Sequence, residues 1–163
     1  MRKFAFVLFI TAMMSVSASA QAKSGVEGVW QLSEMSGTGP DGKVETEKAT
    51  QPSMYLFTKN HYSIIYVASD KPRMVMEDFN KATKEDLIAT FVKQFVANAG
   101  TYDVKADKLT FHPMVAKSPG YMKEGTWSTM SMKVSGNTLT LISHSSNSGP
   151  SKNPATVKLT RIE

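Results

Sequence analysis

The stretch that decides the fold runs from Gln51 to Arg73, QPSMYLFTKNHYSIIYVASDKPR. Two runs rich in aromatic and branched residues, 53–58 and 61–67, flank the pair Lys59-Asn60. Such runs read as strands, and two residues between them read as a tight hairpin. That turn sets the register: Phe57 opposes Tyr62 and Tyr55 opposes Ile64. Opposed residues share a face, so these four and Tyr66 lie together. The other face receives Met54, Leu56, Ile65 and Val67. A sheet with one wet face alternates apolar and polar residues, but this hairpin is apolar on both faces, so both call for a cover.

Further hairpins follow along the chain. Around a turn at 105–108, Val104 opposes Leu109 and Tyr102 opposes Phe111, with Asp103, Thr110 and His112 on the wet side. Around a turn at 135–138, Val134 opposes Leu139 and Met132 opposes Leu141, with Ser131, Lys133 and Thr140 outward. In the last strand Val157, Leu159 and Arg161 share one face, and Lys158 and Thr160 the other. A slip of one residue would bury charged side chains, so the registers are well specified. A first strand in GVEGVWQLSEM, 25–35, precedes a polar loop over 36–52, and a short extended piece is expected at 73–77.

One segment breaks the period of two. In TKEDLIATFVKQFVANAG, 83–100, Leu87, Ile88, Phe91, Val92, Phe95 and Val96 fall on one helical face. Thr83 reads as the N-cap, Glu85 and Asp86 suit the positive helix start, and Gly100 reads as the stop. The spacing predicts a helix over 83–98 that covers the face of Met54, Leu56 and Ile65, or closes an end of the sheet. Eight or nine hairpin-linked strands with one amphipathic helix mean an all-β sandwich or barrel in one domain. No internal repeat and no linker divides the chain.

The N-terminus has another character. Arg2 and Lys3 precede an apolar run over 4–14 and then Ala18-Ser19-Ala20, the pattern of a secretory signal peptide. The run falls short of the roughly 20 apolar residues of a spanning helix. Residues 1–20 are expected to be the signal and 21–163 the barrel domain, with Ala22 the second choice of cleavage site. The expected location is a bacterial periplasm or the medium, with no stable membrane insertion after cleavage. The chain has no cysteine, which excludes a lipoprotein anchor, disulfides, zinc–thiolate sites and cysteine nucleophiles. The net charge of +5 drops by two without Arg2 and Lys3, and the lysines are scattered among acids. Nucleic-acid binding wants a basic patch or stripe, and none is expected here.

Several of these stretches resemble a known group. Gly28-Val29-Trp30 resembles the Gly-x-Trp signature of lipocalins, and Arg161 matches the arginine that covers that tryptophan at their closed barrel end. GTGPDGK (37–43), QPSMYLFTKNHYS (51–63), DKPR (70–73), FVANAGTYDV (95–104), VAKSP (115–119) and NPATVKLTRIE (153–163) resemble, in order, the bacterial lipocalin-like domain proteins. The resemblance implies a calycin-type antiparallel up-and-down barrel of about eight strands, closed at one end by Gly28, Trp30 and Arg161. It brings no catalytic residues. The further short motifs and disulfides of animal lipocalins are missing, so their ligands and receptors do not carry over.

Four of the five tyrosines, Tyr55, Tyr62, Tyr66 and Tyr102, fall on faces assigned inward. With Phe57, Ile64, Phe111, Met130 and Met132 they form an apolar wall with phenolic handles, as ligand sites have. The first reading is therefore a cavity for a small apolar or amphipathic ligand. A filled core, with the protein a structural or interaction module, is the alternative, because both occur at eight strands. A barrel enzyme acting on such a ligand is the third. The chain has no G-x-S-x-G, H-E-x-x-H or P-loop, and His61, His112 and His144 are dispersed. Glu34, expected on the Trp30 face, is the one carboxylate to watch for a shifted pKa. Met74-x-Met76 and Met130-x-Met132, with His61, His112 or Met114, could offer soft ligands to copper(I). The same spacing describes a core strand, and no metal, cofactor or catalytic residue is assigned.

Overall fold

The computed structural model describes residues 25–163; the expected signal peptide at 1–20 lies outside them. Ten strands form one antiparallel sheet. They are β1 (Gly28–Thr38), β2 (Val44–Lys48), β3 (Ser53–Phe57), β4 (His61–Val67), β5 (Phe95–Lys105), β6 (Lys108–Ala116), β7 (Ser128–Ser135), β8 (Thr138–Ser146), β9 (Gly149–Pro150) and β10 (Thr156–Arg161). The last strand, β10, pairs with β1 on one side and with β8 on the other, which closes the sheet into a barrel. Eight strands make the barrel wall; β2 and β9 are short additions to β1 and β8.

The hairpin registers are those expected from the turns. Phe57 faces Tyr62 and Tyr55 faces Ile64; Tyr102 faces Phe111; Met132 faces Leu141. Alternation then delivers Leu109, Phe111, Leu139, Leu141, Val157 and Leu159 to one continuous core around Trp30. The turns at 58–60, 106–107 and 136–137 gather at the end of the barrel where Trp30 lies. The long connections, 39–52, 68–94, 117–127 and 147–155, all emerge at the opposite end.

Three local expectations are corrected. The polar loop of 36–52 is about half sheet: β1 continues to Thr38 and turns back as β2, every residue of which is exposed. The expected extended piece at 73–77 has no strand partner. The helix is shorter than its apolar period implied. It starts as expected, with Thr83 and Asp86 in a reciprocal capping box, the Asp86 N–H donating to Thr83 Oγ1 and the Thr83 N–H to Asp86 Oδ2. It runs as α1 (Lys84–Leu87) and continues with wider π winding over Ile88–Lys93. From Phe95 the chain is strand β5, and Phe95, Val96, Ala97 and Asn98 pair with Val67, Tyr66, Ile65 and Ile64. The open edge of β4 needs hydrogen-bond partners along its whole length, and that demand outweighs the helical period of FVANA. The helix does not cover Met54 and Ile65, which stay exposed. It sits in the 68–94 connection at the open end of the barrel.

Gly100 is accordingly no helix stop. It lies buried in β5, at a bulge where the β5–β6 register shifts between Ala99 and Gly100. A side-chain carbon there would collide with the His112 carbonyl and would stand 2.9 Å from Met114 N and Pro113 Cα. Only glycine lets the two backbones approach so closely.

Candidate functional site: an open cavity above a sealed floor

The floor is built from the two ends of the described chain. Trp30 is completely buried, and its indole N–H donates to the Val26 carbonyl at 2.8 Å. The Arg161 guanidinium lies 4.0 Å from the indole ring centre and donates to the Glu27 carbonyl at 2.6 Å and to the Gly25 carbonyl. A planar cation stacked on an aromatic face, with its N–H groups satisfied by carbonyls, is a stable lid. Gly28, at φ +129°, lies where any side-chain carbon would strike Arg161 Nη1 and the Glu163 carbonyl. Its lack of a side chain is what lets the arginine lie flat.

Above the floor the interior is first filled, then hollow. Phe57 packs edge-on against Tyr102, with ring centres 5.5 Å apart, and the Tyr102 hydroxyl donates to the Thr58 carbonyl at 2.5 Å. Phe57, Tyr102 and Met132 therefore belong to the filled lower part and do not line the cavity expected of them. The other expected lining residues, Tyr55, Tyr62, Ile64, Tyr66, Phe111 and Met130, do surround a void of ≈ 400 Å³ open at the loop end. Ligand pockets of such size, largely apolar with a few polar groups, are the usual form of small-molecule sites. Tyr62 packs edge-on against Phe111 at 4.7 Å, and Tyr55 stacks on Tyr66 at 5.9 Å.

The rim of the void is lined by residues not expected there. Asn98 pairs with Ile64 across β4–β5 and so turns inward. Lys93, Lys117, Tyr121 and Ser128 come from the open end and also line the void. The signal for Asn98 was available in the alternation Val96, Asn98, Gly100, which the helical reading of the segment concealed. The loop residues carry no periodic signal.

Glu34 does not share the Trp30 face. The β1–β10 register shifts between Leu32 and Glu34, so the strand changes phase and Met35 takes the inward position. Glu34 instead accepts from Lys158 Nζ at 2.6 Å. His112 is paired with Asp103 at 2.9 Å on the outer wall, away from Met130, and Met74 and Met76 lie in an irregular loop. Among the described residues no three His, Asp or Glu side chains converge as metal ligands.

A family model described as a lipocalin-like domain matches residues 27–160. The chain belongs to the lipocalin-like domain family. The match runs from just before β1 to Thr160 in β10. A crystal structure of a lipocalin-like protein from Bacteroides uniformis ATCC 8492 is similar to this chain at 16% identity, covering 83% of this chain and 97% of that one, with a TM-score of 0.43. No curated protein matches the chain. A barrel of this family suits the binding of small ligands, and the open void is where this lipocalin-like chain has room for one.

Burial also sets the state of the phenols. Desolvation pushes Tyr62 up to about 12 and raises Tyr55, Tyr66 and Tyr102 as well. All four stay neutral hydrogen-bonding groups at physiological pH. Because their folded values exceed the unfolded value near 10, the stability they contribute is complete below about pH 10 and is lost as pH rises toward and through the folded values. Alkaline unfolding is thus expected to begin just above pH 10, with the phenolate absorbance of these tyrosines appearing together with loss of sheet circular dichroism. Ionisation of all four near pH 10 in a protein that stays folded would show that solvent reaches them freely.

Proposed function

We propose that this lipocalin-like protein is an exported binding or carrier protein for a small apolar or amphipathic molecule. The observation that carries the reading is the ≈ 400 Å³ void, walled by Tyr55, Tyr62, Ile64, Tyr66 and Phe111 and open to solvent at one end. Stability alone would be served by filling that space with side chains, as the lower half of the barrel is filled. Export rests on the signal-like N-terminus, residues 1–20, and places the carrier in a periplasm or in the medium.

Native mass spectrometry of the protein recovered from its own host tests both parts. The periplasmic or secreted fraction is expected to contain a chain beginning at Gln21 or Lys23, carrying an additional small-molecule mass that is lost on denaturation. Intact Met1 in a cytoplasmic fraction would overturn export. A bare chain that also takes up no apolar dye would overturn the carrier reading. That result would favour the structural module expected of a filled barrel.

A further inference from the structure

We infer that the ligand is an amphipathic anion that enters neutral end first: an oxygen acceptor such as a hydroxyl, ether or carbonyl meets Tyr62 at depth, and an anionic group stays at the mouth between Lys93 and Lys117. The inference rests on the binding reading above and adds the chemical class and the orientation.

The deep end is defined by Tyr62. Its side chain is 3% exposed, and its hydroxyl is buried with no hydrogen-bond partner among the described residues. The residue lines the void. A buried hydroxyl without a partner is costly and rare in a settled core. Phe111 packs on Tyr62 at 4.7 Å, and the strand residues that line the void with it, among them Tyr55, Ile64, Met130 and Leu141, carry no charge. An anion brought to that depth would lose its hydration and meet no cation. The hydroxyl itself has no free surface, so it meets a neutral acceptor as the phenol turns toward the void, and burial keeps it protonated for the purpose.

The mouth is different. The void's lining includes two lysines and no carboxylate. Both lysines are exposed, and neither has a carboxylate partner among the described residues. Lys117 is held in place, because its Nζ donates to the Val92 carbonyl at 2.6 Å and to the Phe95 carbonyl. An ammonium has three donors, so one remains for a ligand. Lys93 is the last residue of the helical segment, just before β5 begins. An anion at this position keeps part of its hydration and gains two cations. The apolar wall between the ends takes a hydrocarbon body.

Calorimetric titration of the full mature protein with dodecanoic acid, ω-hydroxydodecanoic acid and the methyl ester of the latter tests the assignment. N-phenylnaphthylamine serves as a neutral apolar control. The ω-hydroxy acid is expected to bind about fivefold tighter than dodecanoic acid, the ratio for one neutral hydrogen bond. Tyr62→Phe should bring that ratio to about one while the control dye still binds. The acid should bind several-fold tighter than its ester, and added salt should shrink the difference. Lys93→Gln, alone and with Lys117→Gln, should also shrink it without touching the hydroxyl preference. Should Lys117→Gln disturb the loop, Lys93→Gln still reads the effect. Dye binding with an unchanged ratio in Tyr62→Phe, or with ester and acid bound equally, would overturn the inference and leave the carrier reading standing. Failure of the dye and of all three acyl probes would overturn both.

Discussion

Trp30→Ala is expected to cost about 3–5 kcal/mol, the range for removing a core tryptophan. That is a large share of the roughly 5–15 kcal/mol that holds a domain together. The indole is fully buried, bonded to the Val26 carbonyl at 2.8 Å and covered by Arg161 at 4.0 Å. Its removal empties the centre of the floor and leaves the guanidinium without its stacking surface. Arg161→Ala should cost less, since its bonds to the Glu27 and Gly25 carbonyls can be replaced by water at the barrel end. The double mutant should lose less than the sum, by about 0.5–3 kcal/mol, because the two groups touch. Urea melts of the four proteins give the cycle. Strict additivity would mean that arginine and indole act independently.

Gly100→Ala is the second large loss, at or above the upper end of the ~1–3 kcal/mol usual for overpacking. The obstacle is the backbone of β6, with the His112 carbonyl in the path of the new carbon and Met114 N and Pro113 Cα at 2.9 Å. Neither strand can yield without disturbing a buried hydrogen-bonded pair. Gly100 also pairs with Tyr62 on its other side, so a displaced β5 should loosen the cavity wall and weaken dye binding in whatever fraction folds. Gly37→Ala is the control, because nothing lies within 4 Å of its added carbon, and it should stay within about 0.5 kcal/mol of the parent. Equal stability of the two variants in thermal melts would show that the bulge relaxes freely.

The parts of this molecule that could be read from residues alone are those held by short turns. Lys59-Asn60 sets the register of Tyr55, Phe57, Tyr62 and Ile64 with no information from elsewhere, and the observed pairing is the one expected. The closure residues Gly28, Trp30 and Arg161 were legible through resemblance, and they meet as expected. What could not be read depended on departures from strict alternation. Counting in twos from Trp30 predicts Glu34 inward, and a bulge after Leu32 reverses the count. Residues 95–98 satisfy a helical period and a strand period together, and the unpaired edge of β4 decides between them. Lys93 and Lys117 reach the cavity from irregular chain, where position follows from tertiary packing rather than from local period.

The seam between β1 and β10 also governs the order of folding. The hairpins β3–β4, β5–β6 and β7–β8 join neighbours in the chain, and such contacts form in microseconds. Arg161 and Glu27, which meet at the seam, are 134 residues apart. Their contact pays the loop entropy of nearly the whole domain before any compensating burial is gained. Closure is therefore the expected rate-limiting event. A chain still waiting for its last strand carries two raw sheet edges, on β1 and β8, that invite pairing with other molecules. The time spent unsealed, more than the strength of the finished barrel, is therefore expected to set this protein's exposure to aggregation on the way to the native state.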